Sequence, residues 1–129
     1  MATGGNALLD AATGKLLASQ TPATFAAILN PQTGTTYSIA VVDAGAIVSL
    51  DNANPILVTL STDATIAYPL YYSTQCWRKG AGKVTFVAEG GATVLIERVG
   101  CLSLPLTNSV CTVTKVAANT WLLSGPMVG

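Results

Sequence analysis

Six carboxylates, Asp10, Asp43, Asp51, Asp63, Glu89 and Glu97, are the side chains in this sequence best suited to proton transfer near neutral pH, because it contains no histidine. Ser–His and Cys–His nucleophile pairs are therefore excluded within one chain. A hydrolase built on two carboxylates would draw on these six. Asp43 and Asp51, however, stand in turn contexts, where aspartate commonly hydrogen-bonds its own backbone. A serine–lysine arrangement has no supporting motif. The three cysteines, Cys76, Cys101 and Cys111, lack the C-x-x-C spacing of a metal or redox site. Without histidine, a zinc site would need carboxylates to complete it. Buried free thiols are the expectation, with a Cys101–Cys111 bridge across a hairpin as the alternative. Gly80, Gly82, Gly90 and Gly91 do not make a phosphate loop, which needs glycines between a strand and a helix N-terminus. They lie between strand-like runs and are expected to be hairpin glycines. No cofactor and no metal is implied, and no enzyme.

The remaining candidate chemistry is recognition. Tyr68, Tyr71, Tyr72 and Trp77 cluster within a short stretch, and Tyr/Trp-rich surfaces bind sugars or proteins. The alternative is that some of them fill the core. Tyr71 and Tyr72 are the interaction candidates of this group. Trp121 is expected to face the core from the last strand.

The elements that must position these residues divide the chain in two. Residues 1–33 are rich in Ala, Thr and Gly and form an expected N-terminal arm. Thr21-Pro22 is a helix start, Ala23 to Leu29 continues it, and Asn30-Pro31 ends it. The helix is too short to stand alone in water. The arm's apolar residues Leu8, Leu9, Leu16, Leu17, Phe25, Ile28 and Leu29 cannot form a core by themselves, so they are candidate docking residues. Residues 34–129 carry short β-branched runs broken by turn residues. Strands are predicted over Thr36–Val42, Ala46–Leu50, Ile56–Leu60, Thr65–Tyr68, Leu70–Trp77, Val84–Ala88, Thr93–Val99, Cys101–Leu104, Val110–Val116 and Thr120–Leu123. This spacing predicts an all-β body, an antiparallel β-sandwich or barrel of jelly-roll-like form.

Composition narrows the partners. Half of the chain is apolar, 9% is charged and the formal net charge is zero. A compact monomer of this size exposes roughly 6,400 Å². Its twelve charged side chains then amount to about one per 530 Å², against about one per 200 Å² at ordinary composition. So much weakly polar surface is expected to be covered by neighbours. The densest basic stretch is Arg78, Lys79 and Lys83, in a Gly-rich turn, which falls short of a nucleic-acid footprint. Met1 to Asn6 lacks the basic start of a secretion signal. No apolar run approaches the length of a membrane span. Neither nucleic acid nor membrane is an expected partner.

These residues together resemble a recurrent β module of tailed-bacteriophage virion proteins, seen in head fibres, capsid decoration proteins and tail-fibre parts. The resemblance is carried by Tyr37-Ser38-Ile39 with Asp43-Ala44-Gly45, by Ile47 through Ala53, and by Ala67-Tyr68-Pro69. It continues through GAGKVTFVAEGGATV from Gly80 to Val94, Val113 through Val116, and Asn119 through Gly125. It covers roughly residues 35 to 125. Modules of this look often place a glycine soon after that proline, whereas here Leu70, Tyr71 and Tyr72 follow, leaving the tyrosines free for a contact. The resemblance implies a non-enzymatic virion protein, a homotrimer made in the host cytoplasm. A capsid decoration or head-fibre protein is expected, its arm lying on the major capsid protein or another virion protein. A tail-associated receptor- or carbohydrate-binding module is the alternative.

Overall fold

The computed structural model describes residues 27–129. Strand-forming sequence here comes in pairs separated by short turns, and each pair folds as an arch with its two strands in different sheets. The first arch is β1 (Leu29–Gln32) and β2 (Thr36–Ser38), the second β3 (Ile47–Leu50) and β4 (Ile56–Leu60), the third β5 (Ser73–Arg78) and β6 (Val84–Ala88). The arches stack, so β1, β3 and β5 pair in parallel, as do β2, β4 and β6. Two short strands follow, β7 (Thr93–Leu95) and β8 (Ser103–Leu104). An antiparallel hairpin of β9 (Val110–Ala117) and β10 (Thr120–Ser124) completes the body. The sheets run β1-β3-β5-β9-β10-β7 and β2-β4-β6-β8.

The body is thus all-β and sandwich-like, but its sheets are mixed where an antiparallel sandwich was expected. Only β5–β9, β9–β10 and β6–β8 pair antiparallel. The reason lies in the turns. Asp51–Pro55 and Lys79–Lys83 carry the chain across the core to the facing sheet instead of reversing it within one sheet. Leu50 and Ile56, on either side of the first of these turns, are both 1% exposed and face one interior. Gly80 and Gly82 are accordingly not hairpin glycines. Their turn packs backbone-to-backbone on the turn of the arch before it, with the Gly82 N–H donating to the Asn52 carbonyl at 2.7 Å. A Cβ at Gly82 would lie 1.9 Å from the Asn54 carbonyl oxygen. Here glycine supplies room rather than an unusual φ.

Other boundaries differ for local reasons. The helix expected to run to Leu29 does not reach it, because Leu29–Gln32 is strand. Pro31 is accommodated there because β1 is a sheet edge, where a missing N–H costs no ladder bond. The body therefore takes in four residues assigned from sequence to the arm. The strand expected over Thr36–Val42 stops at Ser38 and gives way to a single 3-10 turn at Val41–Asp43. Thr65–Tyr68 is not a strand, since the Thr65 and Ile66 N–H groups close a turn onto the Thr62 carbonyl. The strand placed from Leu70 begins only at Ser73, because Tyr71 adopts φ +64°.

Alternation along each strand makes the core. In β9 the inward set is Cys111, Val113 and Lys115; in β10 it is Trp121 and Leu123; in β4 it is Ile56, Val58 and Leu60. The apolar members of these sets, with Val48, Val84, Phe86 and Leu104, form one contiguous cluster between the sheets. Trp121 sits at its centre, 1% exposed.

Candidate functional site

The outward positions follow from the same alternation. On the six-stranded sheet they run across Pro31, Ser49, Trp77 and Val110 in one row and Leu29, Ile47, Gln75 and Thr112 in the next. On the four-stranded sheet Thr36, Leu57, Thr85 and Ser103 form a row, flanked by Ser38, Thr59 and Val87. None of these positions is charged. The strands contain two charged residues, Arg78 and Lys115, and both fall on the inward phase. All other charges of the described residues lie in loops or, for Asp43, in the 3-10 turn. Two broad faces of hydroxyl, amide and aliphatic side chains result, and Leu57, Leu95, Leu122, Val87 and Val110 are each more than a third exposed on them.

Seven of the ten charged side chains among the described residues are engaged within the body. Lys115 is 5% exposed, and its Nζ lies 2.6 Å from Asp63 Oδ1 and donates to the Tyr68 carbonyl at 2.8 Å. That bond, helped by the Asn119 N–H, holds the Asp63 carboxyl below the usual carboxylate range. Glu89 accepts from the Thr65 hydroxyl and the Thr62 N–H, which lowers its pKa in the same way. Of the basic stretch, Arg78 donates to the Leu104 and Ala81 carbonyls, Lys83 to the Gly129 carbonyl, and Lys79 lies 5.6 Å from the Trp77 ring centroid. These cations brace the turns they stand in.

Asp43 is 1% exposed and fully occupied. Its Oδ1 accepts from Asn30 Nδ2 at 2.7 Å, and its Oδ2 accepts from the Tyr37 hydroxyl and the Ala40 N–H. Burial, and then the bond to Asp43, push the Tyr37 phenol well above its ordinary pKa. This polar cluster ties β1, β2 and the 3-10 turn together, consistent with the turn role expected of Asp43.

Tyr72, proposed from sequence for a contact, is 3% exposed. Its hydroxyl donates to the Ala40 carbonyl, while that of Tyr68 donates to Ile39. Both rings pack on Trp121, edge-on, with centroids 5.9 and 4.7 Å away. Of the two tyrosines only Tyr71 remains on the surface, 72% exposed. Trp77 is half-buried on the outward face, and its Nε1 donates to Asn108 Oδ1. Of the expected docking residues, Ile28 and Leu29 are 73% and 52% exposed at the β1 edge. Leu8, Leu9, Leu16, Leu17 and Phe25 lie outside the described residues.

One feature escaped the sequence reading. A groove of about 560 Å³ runs between the Leu95–Arg98 segment and Leu122–Met127, with Cys101 at its wall. It brings together the sheet-edge strand β7 and the C-terminal segment, a juxtaposition with no local signal. Glu97 and Arg98 stand exposed at its rim. Among the described residues, no three or more of His, Cys, Asp and Glu are grouped to hold a metal ion, and no helix is long and apolar enough to cross a membrane. No family model matches the chain, and neither a curated protein nor a solved structure matches it.

Proposed function

We propose that this chain is a non-enzymatic structural subunit of a virion, of capsid decoration or head-fibre type, that works by being covered in an assembly. The observation carrying this reading is that no outward strand position on either sheet face is charged, Lys79 reaching Trp77 only from the adjoining turn. A soluble monomer disperses both signs of charge over its surface, whereas an interface core is depleted of charge. The phage-module resemblance of residues 35–125 supports the same reading. Attachment to the major capsid protein or another virion protein is assigned to the N-terminal end, residues 1–33, where Ile28 and Leu29 stand exposed. Self-association as a homotrimer covers part of the sheet faces. Quantitative mass spectrometry of purified virions tests the role. A copy number on the scale of the shell lattice is expected, and absence from the particles overturns it.

A second reading is a tail-associated receptor- or carbohydrate-binding module, favoured by Tyr71. Its ring is exposed while its backbone holds φ +64° and its N–H is fixed to the Lys115 carbonyl at 2.8 Å. A bulky residue in the left-handed region is a strained feature of the kind found at binding sites. A few copies per particle, together with glycan binding lost in Tyr71→Ala, would favour this reading over decoration.

A further inference from the structure

The loop after β7 holds an apolar side chain out in water. The Cys101 N–H closes a turn on the Arg98 carbonyl at 3.0 Å, and Gly100, at φ +83°, takes the left-handed position of that turn. Val99 stands at its corner, 97% exposed. Turn corners ordinarily carry polar residues, glycine or proline. A β-branched aliphatic fixed there gains nothing from folding of the single chain.

The groove of about 560 Å³ opens beside this turn. Leu95 and Leu122, ladder partners on β7 and β10, supply its apolar floor and are 46% and 39% exposed. Arg98 and Cys101 line it but Val99, between them, does not, so the turn tip projects past the groove wall. A cavity of this size encloses a drug-sized ligand, and so admits the tip of a turn. Its apolar floor, with Glu97 and Arg98 at the rim, has the anatomy of an interface, apolar at the centre and polar around it.

Charge identifies the occupant. Glu97 and Arg98 are both exposed, and the ion pair found among the described residues is Lys115 with Asp63, so neither rim charge is matched within the body. Opposite charges in adjacent positions are self-complementary. Under a two-fold axis passing between them, Glu97 of each copy meets Arg98 of the other. The knob and the groove also adjoin one another, as an isologous contact requires, because one patch must serve as both. Across the axis the order becomes Leu122–Met127 of the first copy, the turn of the second, the turn of the first, and Leu122–Met127 of the second. Each turn then lies in the groove of the other copy, like two clasped hooks.

We propose that this groove is a two-fold interface between copies of this chain, in which the Arg98–Cys101 turn of each seats Val99 in the groove of the other. The contact uses neither sheet face and does not depend on the virion role. Combined with a trimer built on those faces, it pairs two trimers.

Sedimentation equilibrium of the full chain over a concentration series tests it. The wild type is expected to reach an even number of chains. Val99→Asp, at a site too exposed to affect folding, and Arg98→Glu should each weaken the two-fold step more than about tenfold and halve the mass reached. Exchanging the pair, Glu97→Arg with Arg98→Glu, keeps the self-complementarity and should restore the mass. An odd number of chains in the wild type, an unchanged mass in Val99→Asp, or an exchange variant that stays at half mass overturns the proposal. Thiol labelling gives an independent measure. Cys101 should react in dilute protein and slow as concentration rises in the wild type but not in Val99→Asp. Equal reactivity at every concentration refutes the contact, as does shielding found only in purified virions, which makes another virion protein the occupant. Absence of the chain from virions, with the two-fold contact intact, would instead remove the virion role alone.

Discussion

Replacing Trp121 with alanine removes the side chain that most of the aromatic cluster packs against. The indole is 1% exposed, contacts the Tyr68 and Tyr72 rings edge-on, and donates from Nε1 to the Ser61 carbonyl at 3.0 Å. Truncating a buried aromatic of this size costs about 3–5 kcal/mol through lost transfer energy and the cavity left behind. The orphaned Ser61 carbonyl adds about 1–3 kcal/mol unless water reaches it. These contributions are not additive, so about 4 kcal/mol is the working expectation, a large share of the roughly 5–15 kcal/mol that holds a typical domain together. With a urea slope of about 1.5 kcal/mol/M, the unfolding midpoint falls by about 2.5 M. Trp121→Phe keeps the packing and loses only the hydrogen bond and part of the volume, so it should fall clearly less. Urea titration followed by far-ultraviolet circular dichroism reads both variants without relying on tryptophan fluorescence. A midpoint change in Trp121→Ala below about 0.5 M, with the slope unchanged, would refute the placement of this residue at the centre of the core.

Gly82→Ala should destabilise by about 1–3 kcal/mol, because its Cβ meets the Asn54 carbonyl at 1.9 Å, while Gly90→Ala, with open space around its Cβ, should be near neutral; thermal melts compare the two. Burial holds the Cys76 thiol well above its ordinary pKa and pushes that of Cys111 up to about 12. At pH 8 a thiol reagent should therefore modify Cys101 in the native protein and reach the other two only on unfolding; rapid labelling of all three would contradict the packing of β5 on β9. Asp63 and Glu89 have lowered pKa values in the fold, so the stability they contribute is complete above the unfolded carboxylate range near pH 4 and is lost as pH falls through their depressed values. Tyr37, Tyr68 and Tyr72 have raised values, so their contribution holds below about pH 10 and declines above it. Urea midpoints should be flat from pH 6 to 8 with respect to these groups and fall toward both extremes.

What the sequence determined by itself was local. Alternation marked β6 and β9, since one buried face imposes a period of two whatever the partner, and apolar runs between turn residues marked β4 and β10. The inward phase of Trp121 followed from its neighbours in the same strand. The low charge also marked a surface out of the ordinary, although only the strand register showed that both outward faces are free of charge. Tertiary structure decided which strands pair. A turn such as Lys79–Lys83 reads the same whether it reverses the chain within a sheet or carries it to the facing one. Only packing on Asp51–Pro55, where Gly82 leaves room for the Asn54 carbonyl, selects the arch. Burial of Tyr72 and exposure of Tyr71 were likewise undecidable from composition, because the left-handed residue between Leu70 and Tyr72 shifts the strand start and hence the phase. Pairing and phase depend on contacts between residues far apart in the chain, and no short window of sequence contains both partners.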